Sequence, residues 1–290
     1  MIAGSRKSEL AMRQAEMFNE CLADAGLPAC EIRGITATGD VDLVSPLKDM
    51  GGEGVFVREL DEALLRKEID VSVNSLKDIP VKMNARLTIG AYLPRDDPRD
   101  ALVPLDLNDI GCGAIIGTSS VRREMILRTV KPLSRVKPIR GNIRTRLEKL
   151  TTEEYSAILM AKAGIDRLNL DIPCHPLPKE MFVPAAGQGA IAVECRTDDA
   201  ATIAKLAQID DAKTRTEVTA ERTVLGLMNA GCSSPIGINA EVTGQRVRLL
   251  GISFDYSARP IRLDTTLPLR ELDTKLPAVA DFLMSKRDAL

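Results

Sequence analysis

Basic side chains are concentrated in one short part of the sequence. From Gly117 to Arg146 there are seven arginines and two lysines against one glutamate, although the whole chain has a formal net charge of −2. The planar guanidinium group binds carboxylates and phosphates through two parallel hydrogen bonds. This segment therefore predicts an anionic ligand, and a basic surface exposed to solvent is the alternative interpretation.

The order of residues within this segment also favours a ligand. Thr118-Ser119-Ser120 follows a predicted strand and begins a predicted helix, where hydroxyls and free N–H groups bind anions. Arg122 and Arg123 lie in the first turn of that helix, where the helix dipole disfavours cations. A bound anion would offset this cost. Arg140 and Arg146 repeat the arrangement around the next predicted helix, whose predicted N-cap is Asn142.

A second candidate site is the segment Asn74-Ser75-Leu76-Lys77-Asp78, which directly follows the apolar segment Ile69 to Val73. In open α/β sheets, ligands bind beyond the carboxyl ends of the strands. Lys77 offers a cation, and Asp78 offers a carboxylate that can exchange protons or stabilise positive charge. Taken alone, such a pair is more often part of an ordinary surface turn.

Cys232 is a third candidate because it follows a predicted helix end at Gly231, on a loop where a thiol is an accessible nucleophile. A structural cysteine is the more common case. The six cysteines form no C-x-x-C pair and the chain has one histidine, so the sequence predicts neither a zinc site nor a disulfide framework. A reducing compartment follows from this pattern.

The elements that must position these residues are short apolar strands alternating with amphipathic helices, which predicts α/β units with largely parallel sheets. The polar segment 94–100 contains two prolines and predicts a crossing between two such units. A helix is predicted over 214–230, with Gly231 in the C′ position. Beyond it the chain alternates as antiparallel strands do and finishes in a predicted helix.

Composition disfavours several classes of protein. No segment approaches the roughly 18 apolar residues of a membrane span, and the N-terminal residues lack the apolar core of a signal peptide. We therefore expect a soluble, cytoplasmic chain. The net charge of −2 gives no general attraction to nucleic acid or to an anionic membrane.

Several motifs, in one order from about residue 2 to 240, resemble the porphobilinogen deaminases. They are Ser5-Arg6-Lys7-Ser8, Val71 to Pro80, Asp97 to Ala101, Gly117 to Arg123, Arg140 to Leu147, Pro184 to Arg196, Ala220-Glu221-Arg222 and Gly231 to Gly237. The resemblance implies an α/β fold with two lobes like those of periplasmic binding proteins, plus a small α+β C-terminal domain. The first lobe would comprise residues 1–92 and 190–207, the second 95–185, and the C-terminal domain 212–290.

The resemblance also implies an activity, that of a hydroxymethylbilane synthase in porphyrin and heme biosynthesis. Such a transferase deaminates four porphobilinogen molecules, joins them head to tail on a dipyrromethane primer, and releases the linear tetrapyrrole by hydrolysis. The primer would be linked to Cys232 through a thioether. Porphobilinogen carries acetate and propionate groups, which agrees with the arginine-rich segment. The family suggests a monomer and needs neither a metal nor a nucleotide.

The family's site residues can be assigned by motif. Asp78 would be catalytic, since it would stabilise positive charge as ammonia leaves and later assist deprotonation. The expected cofactor-binding residues are Cys232, Lys77, Asp78, Ser120, Arg122 and Arg123. The expected substrate-binding residues are Arg6, Ser8, Arg140, Arg146 and Gln188.

The chain departs from the family pattern at a few positions. Asn74 stands where histidine is frequent, and Asp49 and Glu53 stand in the loop 46–54 where basic residues are expected. Two other classes of function stay open, an anion-binding module of the same fold and a nucleic-acid-binding protein that uses the basic segment for phosphates. A covalent adduct on Cys232 would separate the enzyme from both.

Overall fold

A computed structural model describes residues 1–37, 54–152, 154–231, 234–254 and 259–284. Cys232 and almost all of the loop 46–54 lie outside the described residues. The chain divides into two compact units. One is Met1–Asp96 with Gly189–Thr216, and the other is Asp97–Gln188 with Glu217–Leu290.

The elements alternate along the chain as the periodicity predicts. The strands are β1 (Ile2–Arg6), β2 (Glu31–Ile35), β3 (Val71–Ser75), β4 (Leu87–Tyr92), β5 (Asp100–Val103), β6 (Ile115–Gly117), β7 (Arg135–Lys137), β8 (Ala157–Ala161), β9 (His175–Pro176), β10 (Ile191–Arg196), β11 (Ile236–Thr243), β12 (Arg246–Phe254) and β13 (Pro260–Pro268). The α-helices are α1 (Glu9–Asp24), α2 (Arg58–Leu65), α3 (Val121–Val130), α4 (Ile143–Thr152), α5 (Lys162–Arg167), α6 (Ala200–Leu206), α7 (Ala212–Leu227) and α8 (Leu272–Leu283).

The first unit is built on a five-stranded sheet with the order β2-β1-β3-β10-β4. Strand β1 is parallel to β2 and β3, whereas β10 is antiparallel to both β3 and β4. Side chains alternate between the two faces of a strand. Val71 and Val73 of β3 therefore share a core with Phe18 of α1, while Ser72 and Asn74 lie on the opposite face, where their side chains contact β10.

Helix α1 is determined by a capping residue at its start and by apolar residues at helical spacing. Its N-cap is Ser8, whose hydroxyl accepts a hydrogen bond from the N–H of Ala11. Ala15, Phe18 and Leu22 follow at helical spacing and are buried against the sheet. The cap fixes the start of α1 only two residues beyond the end of β1, so the carboxyl end of this strand meets the N-terminus of the helix.

The second unit contains a five-stranded sheet of order β7-β6-β8-β5-β9 and a three-stranded antiparallel sheet of order β11-β12-β13. Strand β6 is parallel to β7 and β8, and β5 is antiparallel to its neighbours β8 and β9. Helix α8 packs on the small sheet through Leu276 and Leu283. The α/β fold class and the small C-terminal sheet-and-helix domain are thereby confirmed, and the residue limits of three domains stay a prediction.

The end of α7 differs from the prediction. The sequence predicts Gly231 in the C′ position, but Asn229 has the left-handed conformation, with φ 50°. The N–H of Ala230 donates to the carbonyl of Leu225, as in a Schellman motif. Asparagine is the residue that best tolerates this conformation after glycine, so the C′ residue comes two positions before Gly231.

Within the described ranges, no helix is long and apolar enough to cross a membrane. Over the same ranges, no group of histidine, cysteine and carboxylate side chains is arranged to hold a metal ion.

Candidate functional site

The first candidate site lies at the carboxyl ends of β1 and β3 in the first unit. Arg6 is the last residue of β1, and a single 3₁₀ turn, Leu76–Asp78, follows β3 directly. The Nη1 atom of Arg6 lies 3.8 Å from Oδ2 of Asp78. The Arg6 guanidinium also lies over the ring of Phe56, 4.5 Å from its centroid. The fold thus brings together two residues that are 72 positions apart in the sequence.

These side chains line a small depression. The polar lining comes from Arg6, Gln14, Asn74, Ser75 and Asp78, and the apolar lining from Ala11, Phe56, Val57 and Val73. Arg6 and Asp78 are partly exposed, with 19% and 28% of their side-chain surface accessible. The depression therefore presents a carboxylate and a cation beside an aromatic ring, a combination that suits an aromatic ligand with an acidic substituent and developing positive charge.

Two further predicted site residues, Ser8 and Lys77, are close in sequence to residues that line this depression. Ser8 caps α1, and Lys77 belongs to the same 3₁₀ turn as Asp78. The structure therefore places Arg6, Ser8, Lys77 and Asp78 at one end of one sheet, as expected for residues that follow neighbouring parallel strands.

The second candidate site is at the start of α3 in the second unit. Ser120 is the N-cap, and its hydroxyl accepts a hydrogen bond from the N–H of Arg123. The neighbouring Ser119 hydroxyl donates to the carbonyl of Ile139 and accepts from the N–H of the same residue. These bonds connect the loop after β6 with the segment that leads to Arg140.

Arg122 and Arg123 are buried and converge on Asp100, the first residue of β5. Arg122 Nη1 and Nη2 donate to Asp100 Oδ2 and Oδ1 at 2.6 and 3.1 Å. Arg123 Nε donates to Asp100 Oδ1 at 2.9 Å. A ligand was expected to offset the cations in this first turn, but Asp100 of the protein itself offsets part of their charge. Two positive charges face one negative charge, so the group retains an excess of one positive charge.

The charge state of Asp100 follows from its surroundings. Its side chain is completely buried, and desolvation opposes the ionised form. The charges of Arg122 and Arg123 outweigh desolvation and, with hydrogen bonds from Arg122 and Gln188, hold the pKa of Asp100 far below its ordinary value. Burial lowers the pKa of Arg123, against the attraction of Asp100. Asp100 is therefore ionised throughout the neutral range.

Gln188 belongs to the same group of side chains. Its Nε2 donates to the carbonyl of Pro98 at 2.7 Å and to Asp100 Oδ1 at 2.9 Å, and its Oε1 accepts from Arg123 Nη2 at 3.4 Å. We call Asp100, Arg122, Arg123 and Gln188 the Asp100 cluster. Gln188 is flanked by Gly187 and Gly189, whose φ angles of 72° and 87° are accessible to glycine at little cost.

Arg140 and Arg146 lie at the start of α4. The predicted cap at Asn142 is present, because its side-chain oxygen accepts from the N–H of Thr145. Arg146 Nε donates to the carbonyl of Gly141 at 2.8 Å. Both arginines are half-buried. Their assignment to the substrate stays a prediction, as does that of every other predicted site residue.

Sequence reasoning missed two residues with central positions. Asp100 lies in the motif Asp97 to Ala101, but the motif does not predict its pairing with buried arginines. The signal that could have found it is an acidic residue directly before the apolar run Ala101 to Val103, because a carboxylate buried there needs a charged partner. Gln14 is polar on the apolar face of α1 and is 2% exposed. A polar residue at a core position of an amphipathic helix is the corresponding signal.

Two family models match the chain. Residues 1–204 match "Porphobilinogen deaminase, dipyromethane cofactor binding domain", and residues 215–259 match "Porphobilinogen deaminase, C-terminal domain". The porphobilinogen deaminase of Bacillus mycoides is 46% identical over 242 residues, which is 81% of this chain and 78% of that protein. The porphobilinogen deaminase of Lysinibacillus sphaericus is 42% identical over 258 residues, or 87% of this chain and 83% of that protein.

Solved structures of substrate-binding proteins align with much of this chain at low sequence identity. The second substrate-binding domain of a putative amino acid ABC transporter from Streptococcus pneumoniae aligns with 71% of this chain and 89% of its own length, at 11% identity and a TM-score of 0.44. A TM-score at this level supports no conclusion about the fold or the ligands of this chain.

Proposed function

Because the chain belongs to the porphobilinogen deaminase family, we propose that it joins four porphobilinogen molecules head to tail and releases hydroxymethylbilane. It is a transferase of tetrapyrrole biosynthesis, with dipyrromethane as its cofactor and porphobilinogen as its substrate. The observation that carries the proposal is the family match over residues 1–204, which contain Arg6, Asp78 and the Asp100 cluster.

The Asp100 cluster fits a cofactor that carries carboxylates. Two buried guanidinium groups share one carboxylate, and the remaining positive charge is best offset by an anionic ligand. We assign Lys77, Ser120, Arg122 and Arg123 to cofactor binding, and Cys232 to its attachment through a thioether. When bound, dipyrromethane supplies the pyrrole α-carbon at which the new carbon–carbon bond forms.

Asp78 is the proposed catalytic residue. When ammonia leaves the aminomethyl carbon of porphobilinogen, the pyrrole nitrogen releases electron density and acquires positive charge. A carboxylate beside this nitrogen stabilises the cation. After the carbon–carbon bond has formed, one proton must leave the pyrrole α-carbon, and Asp78 accepts or relays it.

Arg6 has a complementary role in this proposal. Its guanidinium lies 3.8 Å from Asp78 and stacks on Phe56, which restricts its orientation. A positive charge there binds an acetate or propionate group and places the pyrrole next to Asp78. Ser8, Arg140, Arg146 and Gln188 are assigned to the other carboxylates of the substrate and the growing chain.

The remaining assignments concern the setting of the enzyme. We propose that it acts as a cytoplasmic monomer without a nucleic-acid or membrane partner. A net charge of −2 and an aromatic content of 3% support the part about partners, because neither favours binding to nucleic acid or to anionic lipids.

The first test is an intact mass of the purified protein under denaturing conditions, followed by peptide mapping. We expect a mass above that of the sequence by one dipyrromethane, located on Cys232 and absent from Cys232→Ser, because a thioether survives denaturation. Cys112→Ser is the matched control, since Cys112 is an exposed cysteine outside the proposed site and its variant should keep the adduct.

The outcome that contradicts the proposal is equally clear. If the wild-type protein has the bare mass, it is incubated with porphobilinogen and measured again. If neither an adduct nor released ammonia is detected after incubation, the proposal of an enzyme is refuted and an anion-binding module is the remaining interpretation. An adduct on another cysteine would refute the assignment of Cys232 alone.

A further inference from the structure

We propose that two hydrogen-bond contacts, one on each face of the first unit's sheet, position the turn that carries Lys77 and Asp78. The residues involved are Gln14 with Ser75 on one face and Asn74 with Glu194 on the other. The inference rests on the proposed function, because the position of the turn matters for turnover only if Asp78 is catalytic.

The Gln14 contact lies on the α1 face of the sheet. Gln14 is 2% exposed, and its Nε2 donates to the Ser75 hydroxyl at 2.7 Å. Ser75 is both the last residue of β3 and the residue before the 3₁₀ turn Leu76–Asp78. The contact therefore acts at the point where the strand becomes the turn.

The Glu194 contact lies on the opposite face. Oε2 of Glu194 on β10 accepts from Asn74 Nδ2 at 2.9 Å and from the Ser72 hydroxyl at 3.3 Å. Asn74 Nδ2 also lies 3.0 Å from the Ser72 hydroxyl. Glu194 is 1% exposed and Asn74 4% exposed. This contact fixes the residue directly before Ser75.

Stability alone does not account for these residues. A buried amide or carboxylate loses its hydration and regains at best a comparable energy from its hydrogen bonds. Apolar residues at the same positions would therefore stabilise the protein equally well. Directional bonds do restrict position. The turn is only three residues long, and its backbone bonds run from Leu76 N–H to the Ala190 carbonyl and from Ile79 N–H to the Leu76 carbonyl. A displacement of residues 74 and 75 is therefore transmitted to Asp78.

The first experiment removes the Gln14 contact in two ways. Gln14→Leu and Ser75→Ala each leave one polar group without its partner, so each should lower both the melting temperature and kcat. The double variant removes both groups, so its melting temperature should recover relative to Gln14→Leu while kcat stays low. We expect kcat to fall by about 10- to 100-fold, with KM and the cofactor mass unchanged, because misplacement of a catalytic group slows the chemical step.

The second experiment uses a conservative replacement on the other face. Asn74→Ala removes the closer of the two side-chain donors described for Glu194 and should lower kcat to a similar extent. Asn74→His retains an N–H donor and should recover most of the activity. Gln208→Leu and Asn108→Ala are the matched controls, because both residues are exposed, Gln208 in the turn after α6 and Asn108 between β5 and β6.

The final measurement separates this inference from the proposed function. In an Asp78→Asn background, the Gln14 and Asn74 substitutions should cause no further loss of residual turnover, because they act through Asp78. If Asp78→Asn alone retains normal turnover, the proposed function of Asp78 fails. If Asp78→Asn is inactive but Gln14→Leu, Ser75→Ala and Asn74→Ala retain wild-type kcat, or change only KM, the positioning role is refuted.

Discussion

Asp100 is a single carboxylate between two buried guanidinium groups. Transfer of an ion from water to the protein interior costs roughly several kcal/mol, and only close partners with good hydrogen-bond geometry offset that cost. Asp100 has such partners in Arg122, Arg123 and Gln188. The cluster joins the start of β5, the first turn of α3 and the segment before β10, so one side chain determines where three parts of the chain meet.

We predict that Asp100→Asn destabilises the protein by about 3–5 kcal/mol at pH 7, because it leaves two buried cations without their carboxylate. Chemical denaturation gives the free energy of unfolding. Asp264→Asn is the control, since Asp264 pairs with Arg248 on an exposed surface and its loss should cost at most about 1 kcal/mol. Equal losses in the two variants would contradict the prediction.

The difference in the free energy of unfolding between the wild-type protein and Asp100→Asn should depend on pH. The pKa of Asp100 is lowered in the folded protein relative to its ordinary value of 3.8. Its contribution to stability is therefore fully present above that value and is lost as the pH falls towards the folded-state pKa. The difference in free energy between the wild-type protein and Asp100→Asn should be constant near neutrality and should narrow below pH 3.8. A difference that widens on acidification would be inconsistent with an ionised Asp100.

At the scale of elements, the ends of helices depend on single residues. Helix α7 ends at Leu227, and Asn229 adopts φ 50° two residues later. Residues with a Cβ atom pay a steric cost in this conformation, and asparagine reduces it through local hydrogen bonding of its side chain. The end of α7 thus depends on a residue type that the sequence pattern alone does not distinguish from an ordinary polar residue.

We predict that Asn229→Ala lowers the free energy of unfolding by about 1–2 kcal/mol, the cost of a left-handed alanine. Asn229→Gly should match or exceed the wild-type stability, because glycine adopts this conformation freely. Thermal unfolding followed by circular dichroism tests both. If the two variants melt at the same temperature, the conformation of residue 229 does not limit the stability of the helix end.

The alternation of strands and helices could be predicted from the sequence because apolar periodicity is a local signal. The caps at Ser120 and Asn142 could be predicted for the same reason. The Asp100 cluster could not, because it joins residues 22 to 88 positions apart. The antiparallel direction of β5 and β10 could not be predicted either, because the apolar pattern of a strand is the same in both directions.

At the scale of the whole molecule, the cysteines differ widely in accessibility. Cys112 is exposed, Cys21 and Cys174 are half-buried, and Cys30 and Cys195 are buried. Burial raises the pKa of Cys195 to about 11 and also raises those of Cys21, Cys30 and Cys174. Since the thiolate is the reactive form, both effects protect the buried thiols.

We predict that iodoacetamide at pH 8 alkylates Cys112 first and Cys195 last among these five residues. Peptide mass spectrometry over a time course gives the order. Unfolding in denaturant should abolish the differences, because they arise from the fold and not from neighbouring sequence. Rapid alkylation of Cys195 in the native protein would show that β10 is less protected than its burial indicates.

The two five-stranded sheets have a common topology. In the described part of the chain, one strand of each sheet is antiparallel to its neighbours, and it occupies the fourth position, as β10 in one sheet and β5 in the other. Each follows a point where the chain passes from one unit to the other, at residues 96/97 and 188/189. This shared strand order could not be predicted from the sequence, because topology is not a local property of the sequence.

The position of β10 has a consequence for synthesis on the ribosome. This strand lies between β3 and β4, yet it is translated about 100 residues after β4, so the first sheet has a gap while those residues are made. Glu194, which completes the contact with Asn74, arrives on that same late strand. The turn that bears Asp78 therefore reaches its final environment only after the five strands of the second sheet have been translated. A nascent chain that stops before residue 191 lacks β10, and with it part of the core of the first unit and the residue that completes the contact with Asn74.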